Sequence, residues 1–168
     1  MDDAKTHIRW VRANARSLGI DPKRIAVVGY SAGGYIALRT AGALDAELAA
    51  CVAFYTPTDG AKIAQVLMPP GSDEAAIREA NPLSHIKEGF PPTLLFHGLA
   101  DVIVPPESSE RLLQQLRAAT VPSEFYRFAG VPHEFDTRPE FAEACAAVTD
   151  CFLDREVLHP RTYPFRSR

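Results

Sequence analysis

Apolar positions along the chain change period repeatedly, and the changes lay out an architecture. Residues 3–18 set Ala4, Ile8, Val11, Ala15 and Leu18 at helical spacing, and Gly19 follows as a C-terminal stop. A turn, "DPKR" at 21–24, leads into Ile25–Val28, a short continuous apolar run of the kind found in sheets covered on both faces. The stretch "GGYIALRTAGA" (33–43) predicts a helix of small residues, and "LAACVAFYTP" (48–57) a second buried strand halted by Pro57. Residues 58–92 are less regular: "AKIAQVL" (61–67) and "DEAAIREA" (73–80) read as helices separated by "MPPGS". Beyond them, "PTLLFHG" (92–98) predicts a third strand and "PPESSERLLQQLRAAT" (105–120) an amphipathic helix with Leu112, Leu113 and Leu116 inward. "SEFYRFAG" (123–130) is a fourth strand, and residues 139–155 form a closing helix.

Strand followed by helix, repeated along the chain, predicts an α/β fold. The sheet should be mainly parallel, with about four strands and helices on both faces. No internal repeat or linker interrupts residues 1–155, which read as a single domain followed by a C-terminal tail, 156–168. At 168 residues a chain can bury about two-thirds of its unfolded surface, enough for one core.

Charge narrows the partners. The net charge of -3 leaves no basic surplus to neutralise phosphates, so nucleic acid is not expected as the main partner. The locally basic end, "REVLHPRTYPFRSR", reads as a solvated or docking tail. No run reaches the ~20 apolar residues of a membrane helix, and "DDAKTHIRWVR" after Met1 lacks the apolar core of a secretory signal, so a cytoplasmic location is expected. Three cysteines do not make a disulfide framework, and Cys145 and Cys151 on one helix are separated by roughly 9 Å of rise. They read as buried, apolar-like thiols.

Candidate chemistry gathers at the strand ends, where parallel α/β sheets place their ligands. Strand one runs into Gly29-Tyr30-Ser31-Ala32-Gly33, strand three into His97-Gly98-Leu99-Ala100-Asp101, and strand four into Gly130-Val131-Pro132-His133. A serine between strand and helix, flanked by small residues, can sit on a tight strained turn that projects its hydroxyl. Serine is a weak nucleophile without a base, which His133 can supply, and the imidazole needs a carboxylate to set its tautomer, which Asp101 can supply. The Ala32 backbone N–H is the candidate donor to an oxyanion, and Tyr30 is a candidate pocket residue. His97 reads as structural, beneath the acid loop, and His85 as a loop or cap residue. His7 and His159 read as surface, and Glu134 as surface or a support to the site. The histidines lack metal-ligand spacing, and neither a phosphate loop nor a dinucleotide fingerprint appears, so neither metal nor cofactor is expected.

Three stretches carry a resemblance: residues 2–38 around "GYSAGG", then "PPTLLFHGLADVIVPPESSERLLQQL", then "FAGVPHEF". In these the chain resembles the α/β-hydrolase superfamily, and within it the hormone-sensitive-lipase-like and feruloyl/acetyl-xylan-type esterases. The resemblance implies a truncated α/β-hydrolase fold and hydrolysis of a small carboxylic ester through an acyl-enzyme. It implies Ser31 as nucleophile, His133 as base and Asp101 as acid. Short acyl chains are the expected substrates. The group also carries earlier strands and an H-G-G-type oxyanion loop, for which this chain has no counterpart; its His97-Gly98 pair belongs to the acid-bearing strand. Strand one is therefore expected to have an open edge, covered by a second copy in a homodimer or higher homo-oligomer. Two other readings stay open: a catalytically weak or inactive hydrolase fragment kept as an interaction module, and a serine peptidase of the prolyl-oligopeptidase type.

Overall fold

The computed structural model describes residues 2–44, 47–67, 69 and 71–163. Met68 and Pro70 of the "MPPGS" connector and residues 164–168 of the expected tail lie outside these. Helices α1 (Asp2–Ala13) and α2 (Ala15–Leu18) precede strand β1 (Ala26–Tyr30) and helix α3 (Ala32–Leu44). Strand β2 (Ala50–Phe54) is followed by α4 (Gly60–Leu67) and α5 (Glu74–Ala80), and β3 (Thr93–Gly98) by α6 (Glu107–Ala118). Strand β4 (Ser123–Phe128) and helix α7 (Pro139–Leu153) follow, and a π-helical turn over Asp154–Leu158 continues from α7.

The four strands pair in the spatial order β1-β2-β3-β4, and every pairing is parallel. Because each connection steps the same way across the sheet with the same hand, the crossover helices fall on one face. The period of two then sorts the strand residues. Cys51, Ala53 and Leu95 face a core shared with Leu38 of α3 and Leu112 and Leu116 of α6, while Ile8 of α1 packs at its margin. Val52, Phe54, Leu94 and Phe96 face the opposite core with Phe135, Cys145 and Phe152, which α7 covers. The central strands β2 and β3 are buried along their whole length, which is why their sequences run apolar without alternation. Burial of each large side chain there contributes roughly 1.5–3 kcal/mol.

Boundaries differ from the sequence reading where side chains compete for the backbone. The expected helix over 3–18 breaks at Asn14, whose amide donates to the Trp10 carbonyl while the Ser17 hydroxyl donates to the Asn14 carbonyl. Gly19, at φ +68°, caps the second piece in the left-handed region. The second strand stops at Phe54, ahead of Pro57, because Tyr55 takes φ +35°. Cys51 and Cys145 are buried free thiols, which burial pushes up to about 12 and about 11; Cys151, expected to be buried, is exposed because six residues of helix turn it roughly 120° away from Cys145. No described helix is long and apolar enough to cross a membrane.

Candidate active site at the carboxyl ends of the strands

β1 delivers Ser31 to the sheet edge in the left-handed region, at φ +50°, with its amide donating to the Phe54 carbonyl of the neighbouring strand end at 3.0 Å. Two glycines make the turn possible. A methyl group on Gly29 would run into the Gly33 carbonyl, and one on Gly34 would run into the Thr56 side chain. Gly33, the last glycine of the G-x-S-x-G pattern, has open space where a Cβ would stand. The close approach between α3 and the end of β2 therefore rests on Gly34.

Asp101 lies in the turn after β3 and is saturated by donors. Its Oδ1 accepts the backbone N–H groups of Ile103 and Val104, both at 2.9 Å. Its Oδ2 accepts from His133 Nδ1 at 2.6 Å. With that proton on Nδ1, His133 Nε2 is the acceptor for the Ser31 hydroxyl, 3.0 Å away. The structure thus brings Ser31, His133 and Asp101, distant in sequence, into one hydrogen-bonded line.

The loops bearing Asp101 and His133 are fastened to each other. Leu99 N–H donates to the Phe128 carbonyl and Ala100 N–H to the Val131 carbonyl, each at 2.9 Å. A methyl group on Gly98 would strike the Val131 carbonyl, so the chains can come this close only at a glycine.

His97 sits directly under the acid loop and is wholly buried. Its Nε2 donates to the Val104 carbonyl at 2.9 Å, which leaves Nδ1 to accept the Ser109 hydroxyl at 2.7 Å. Burial holds the imidazole below its ordinary pKa, opposed by its bond to Val104 and by the nearby Asp101 carboxylate.

Two residues at the site were not singled out in the sequence. Tyr55, just past β2, lays its ring against His133 with centroids 4.4 Å apart, and its hydroxyl donates to Asp136 Oδ1 at 2.5 Å. Applying the strand-end rule to β2 as well would have found Tyr55. Asp136 carries no sequence signal beyond lying three residues after His133.

Beside Ser31, Ala32 opens onto a groove of about 420 Å³ walled by Tyr35, Ile63, Val66, Ile103 and Val104. Tyr30 lies elsewhere. It is half-exposed, stacks on Phe54 at 4.5 Å, and lines a separate groove of about 390 Å³ with Val28 and the α7 residues Ala142 and Cys145. Glu134 is exposed in the left-handed region at φ +56°, and His85 contacts the Glu79 carbonyl away from this edge.

The family model of BD-FAE, an α/β-hydrolase esterase domain, matches residues 1–116. The chain belongs to the BD-FAE family. Among curated proteins it is 31% identical over 162 residues to esterase LipC of Mycobacterium tuberculosis, covering 80% of this chain and 40% of that protein. It is 26% identical over 161 residues to the probable carboxylic ester hydrolase LipM of the same organism, covering 80% of this chain and 37% of LipM. The chain therefore spans about two-fifths of the length of these relatives. Among solved structures, butyrate-bound esterase Est2 of Thermogutta terrifontis superposes with a TM-score of 0.76 at 25% identity, covering 95% of this chain and 66% of Est2. The acetyl ester-xyloside bifunctional hydrolase of Caldicellulosiruptor lactoaceticus shares the fold, with a TM-score of 0.80 at 24% identity over 93% of this chain and 64% of that one.

Proposed function

We propose that this BD-FAE chain is a serine esterase that hydrolyses short-chain carboxylic esters. The observation that carries the reading is the continuous line from Ser31 Oγ through His133 to Asp101 Oδ2, with donor–acceptor distances of 3.0 and 2.6 Å. Ser31 Oγ attacks the ester carbonyl as its proton passes to His133 Nε2. The tetrahedral intermediate collapses, the C–O bond to the alcohol breaks, and the Nε2 proton goes to the departing oxygen. A water then gives its proton to Nε2 and attacks the acyl-Ser31 carbonyl. Breaking the ester bond to Ser31 releases the carboxylic acid, and the proton returns to Oγ. Asp101 holds the imidazole in its tautomer and stabilises the imidazolium.

The oxyanion forms beside the Ala32 N–H, the first amide of α3, which has no partner within its helix and lies at the positive end of the helix dipole. One such donor is worth ~10²–10³ in rate. The acyl chain enters the Ala32 groove between Ile63 and Ile103. Its apolar wall of Ile63, Val66 and Ile103 covers a short acyl chain such as butyryl.

Hydrolysis of p-nitrophenyl acetate and butyrate by the chain and by Ser31→Ala tests the reading. Turnover abolished in Ser31→Ala is the expected result; equal background rates for both proteins would overturn it.

We propose, further, that a second copy pairs with the outer edge of β1. That edge has no strand partner among the described residues, and Val28 and Tyr30 on it are 48% and 46% exposed. A two-fold pairing of β1 with its own copy would satisfy the open backbone groups and cover both side chains.

A further inference from the structure

We infer that Tyr55 and Asp136 act together as a positioning pair that holds the His133 ring in line between Asp101 and Ser31. This rests on the reading of Ser31 as nucleophile and His133 as its base. The need for such a pair follows from geometry. His133 is bonded at Nδ1 to Asp101 and at Nε2 to Ser31. Those bonds are soft, and small rotations about the His133 side-chain torsions let the ring swing off the line between its two partners. A ring packed against the imidazole limits that swing, and the Tyr55 ring provides one at 4.4 Å between centroids, inclined by 58°.

His133 also sits on an irregular loop between β4 and α7, with left-handed residues at Gly130 and Glu134. Such a loop needs an anchor on each side of the histidine. The upstream anchor is the Val131 carbonyl, held by Ala100 N–H. The downstream anchor is Asp136, whose Oδ1 accepts the Tyr55 hydroxyl at 2.5 Å, a charge-assisted bond.

Tyr55 is itself a rigid post. It is 2% exposed, its N–H donates to the Phe96 carbonyl at 2.7 Å, and its ring packs against Phe54 and Phe135. Its backbone is held at φ +35°, a conformation that a non-glycine residue keeps only where the surroundings over-determine it. Burial, then the bond to Asp136, raise the phenol above its ordinary range, so it stays a donor wherever the enzyme works. The charged groups around the imidazole are Asp101 at Nδ1, Asp136 beyond the Tyr55 ring and Glu134 next in the chain, with the neutral His97 behind Asp101.

Tyr55→Phe keeps the ring and removes the bond; Asp136→Asn keeps an acceptor and removes the charge. In Tyr55→Phe the expected result is kcat for p-nitrophenyl acetate lowered about 10-fold with KM within twofold, the signature of a misplaced base. Adding Asp136→Asn to it should cost little more, because the pair is already broken. One NMR readout needs no turnover. The proton between His133 and Asp101 should give a sharp far-downfield resonance in the wild-type chain and a broadened or missing one in Tyr55→Phe. Wild-type kcat and an unchanged downfield resonance in Tyr55→Phe overturn the inference. If Tyr55→Phe unfolds non-cooperatively, wild-type kcat and an unchanged downfield resonance in Asp136→Asn overturn it. A wild-type chain without esterase turnover but with this change in the downfield resonance would sink the esterase reading and leave the pair standing.

Discussion

His97 Nε2 stands 3.3 Å from Asp101 Oδ2, with both side chains fully buried and only four residues apart in the chain. The same nitrogen donates to the Val104 carbonyl, and the Val104 N–H donates to the other oxygen of Asp101. His97 and Asp101 are therefore braced by one backbone segment. The carboxylate that meets His133 is held from below by an imidazole that has to remain neutral.

That requirement has a pH consequence. Burial depresses the folded-state pKa of His97 below its unfolded value, so below about pH 6.5 the unfolded chain binds the extra proton first. The His97 contribution to stability is complete above that pH and is lost as pH falls through the lower, folded-state value. Denaturant unfolding at stepped pH should show a decline below about 6.5 that is shallower in His97→Gln. The variant should also lose roughly 1–3 kcal/mol at neutral pH, because Ser109 or Val104 is left without its partner. An identical pH slope in both proteins would remove His97 as the cause.

Gly33 and Gly34 should respond in opposite ways to alanine. Gly33→Ala places a methyl group in open space near the start of α3 and should be neutral or stabilising by up to about 1 kcal/mol. Gly34→Ala forces its methyl group into Thr56 and should cost about 1–3 kcal/mol, partly recovered with Thr56→Ala. Thermal unfolding of the three variants decides it, and equal losses at Gly33 and Gly34 would contradict the packing.

The groove beside Ala32 gives a substrate prediction. Ile103 is 69% exposed, so Ile103→Ala should leave the fold intact while removing apolar wall. The kcat/KM for p-nitrophenyl butyrate should fall about 3–10-fold, and that for acetate less, since each buried methylene is worth about 0.8 kcal/mol. Equal losses on both esters would place the acyl chain elsewhere.

The open β1 edge predicts an oligomer. Light scattering at micromolar concentration should give a dimer or larger, and Val28→Lys, which puts a charge on the edge, should shift it toward monomer. A monomeric wild-type chain would end this proposal.

The order of strands and helices was legible because buried parallel strands and amphipathic helices write different periods. "LAACVAFY" and "PTLLFHG" could not be surface segments, and both became central strands. The residues of the candidate site were legible for a related reason. Parallel connections bring the carboxyl ends of all strands to one edge, so Ser31, Asp101 and His133 needed only to be counted at those ends. Boundaries were less legible where local chemistry overrode the period, as at Asn14 and at Tyr55.

By itself, then, the sequence determined the fold class, the common edge and the residue types that meet there, because period and chain order are one-dimensional properties. Only the tertiary structure decided which glycine bears the close approach, since Gly33 and Gly34 are alike as letters and differ only in whether Thr56 stands opposite. Only it could bring Tyr55 against His133, or Ser109 and Val104 around His97. Those contacts join segments with no shared pattern, and they exist because the packed sheet sets the distances between them.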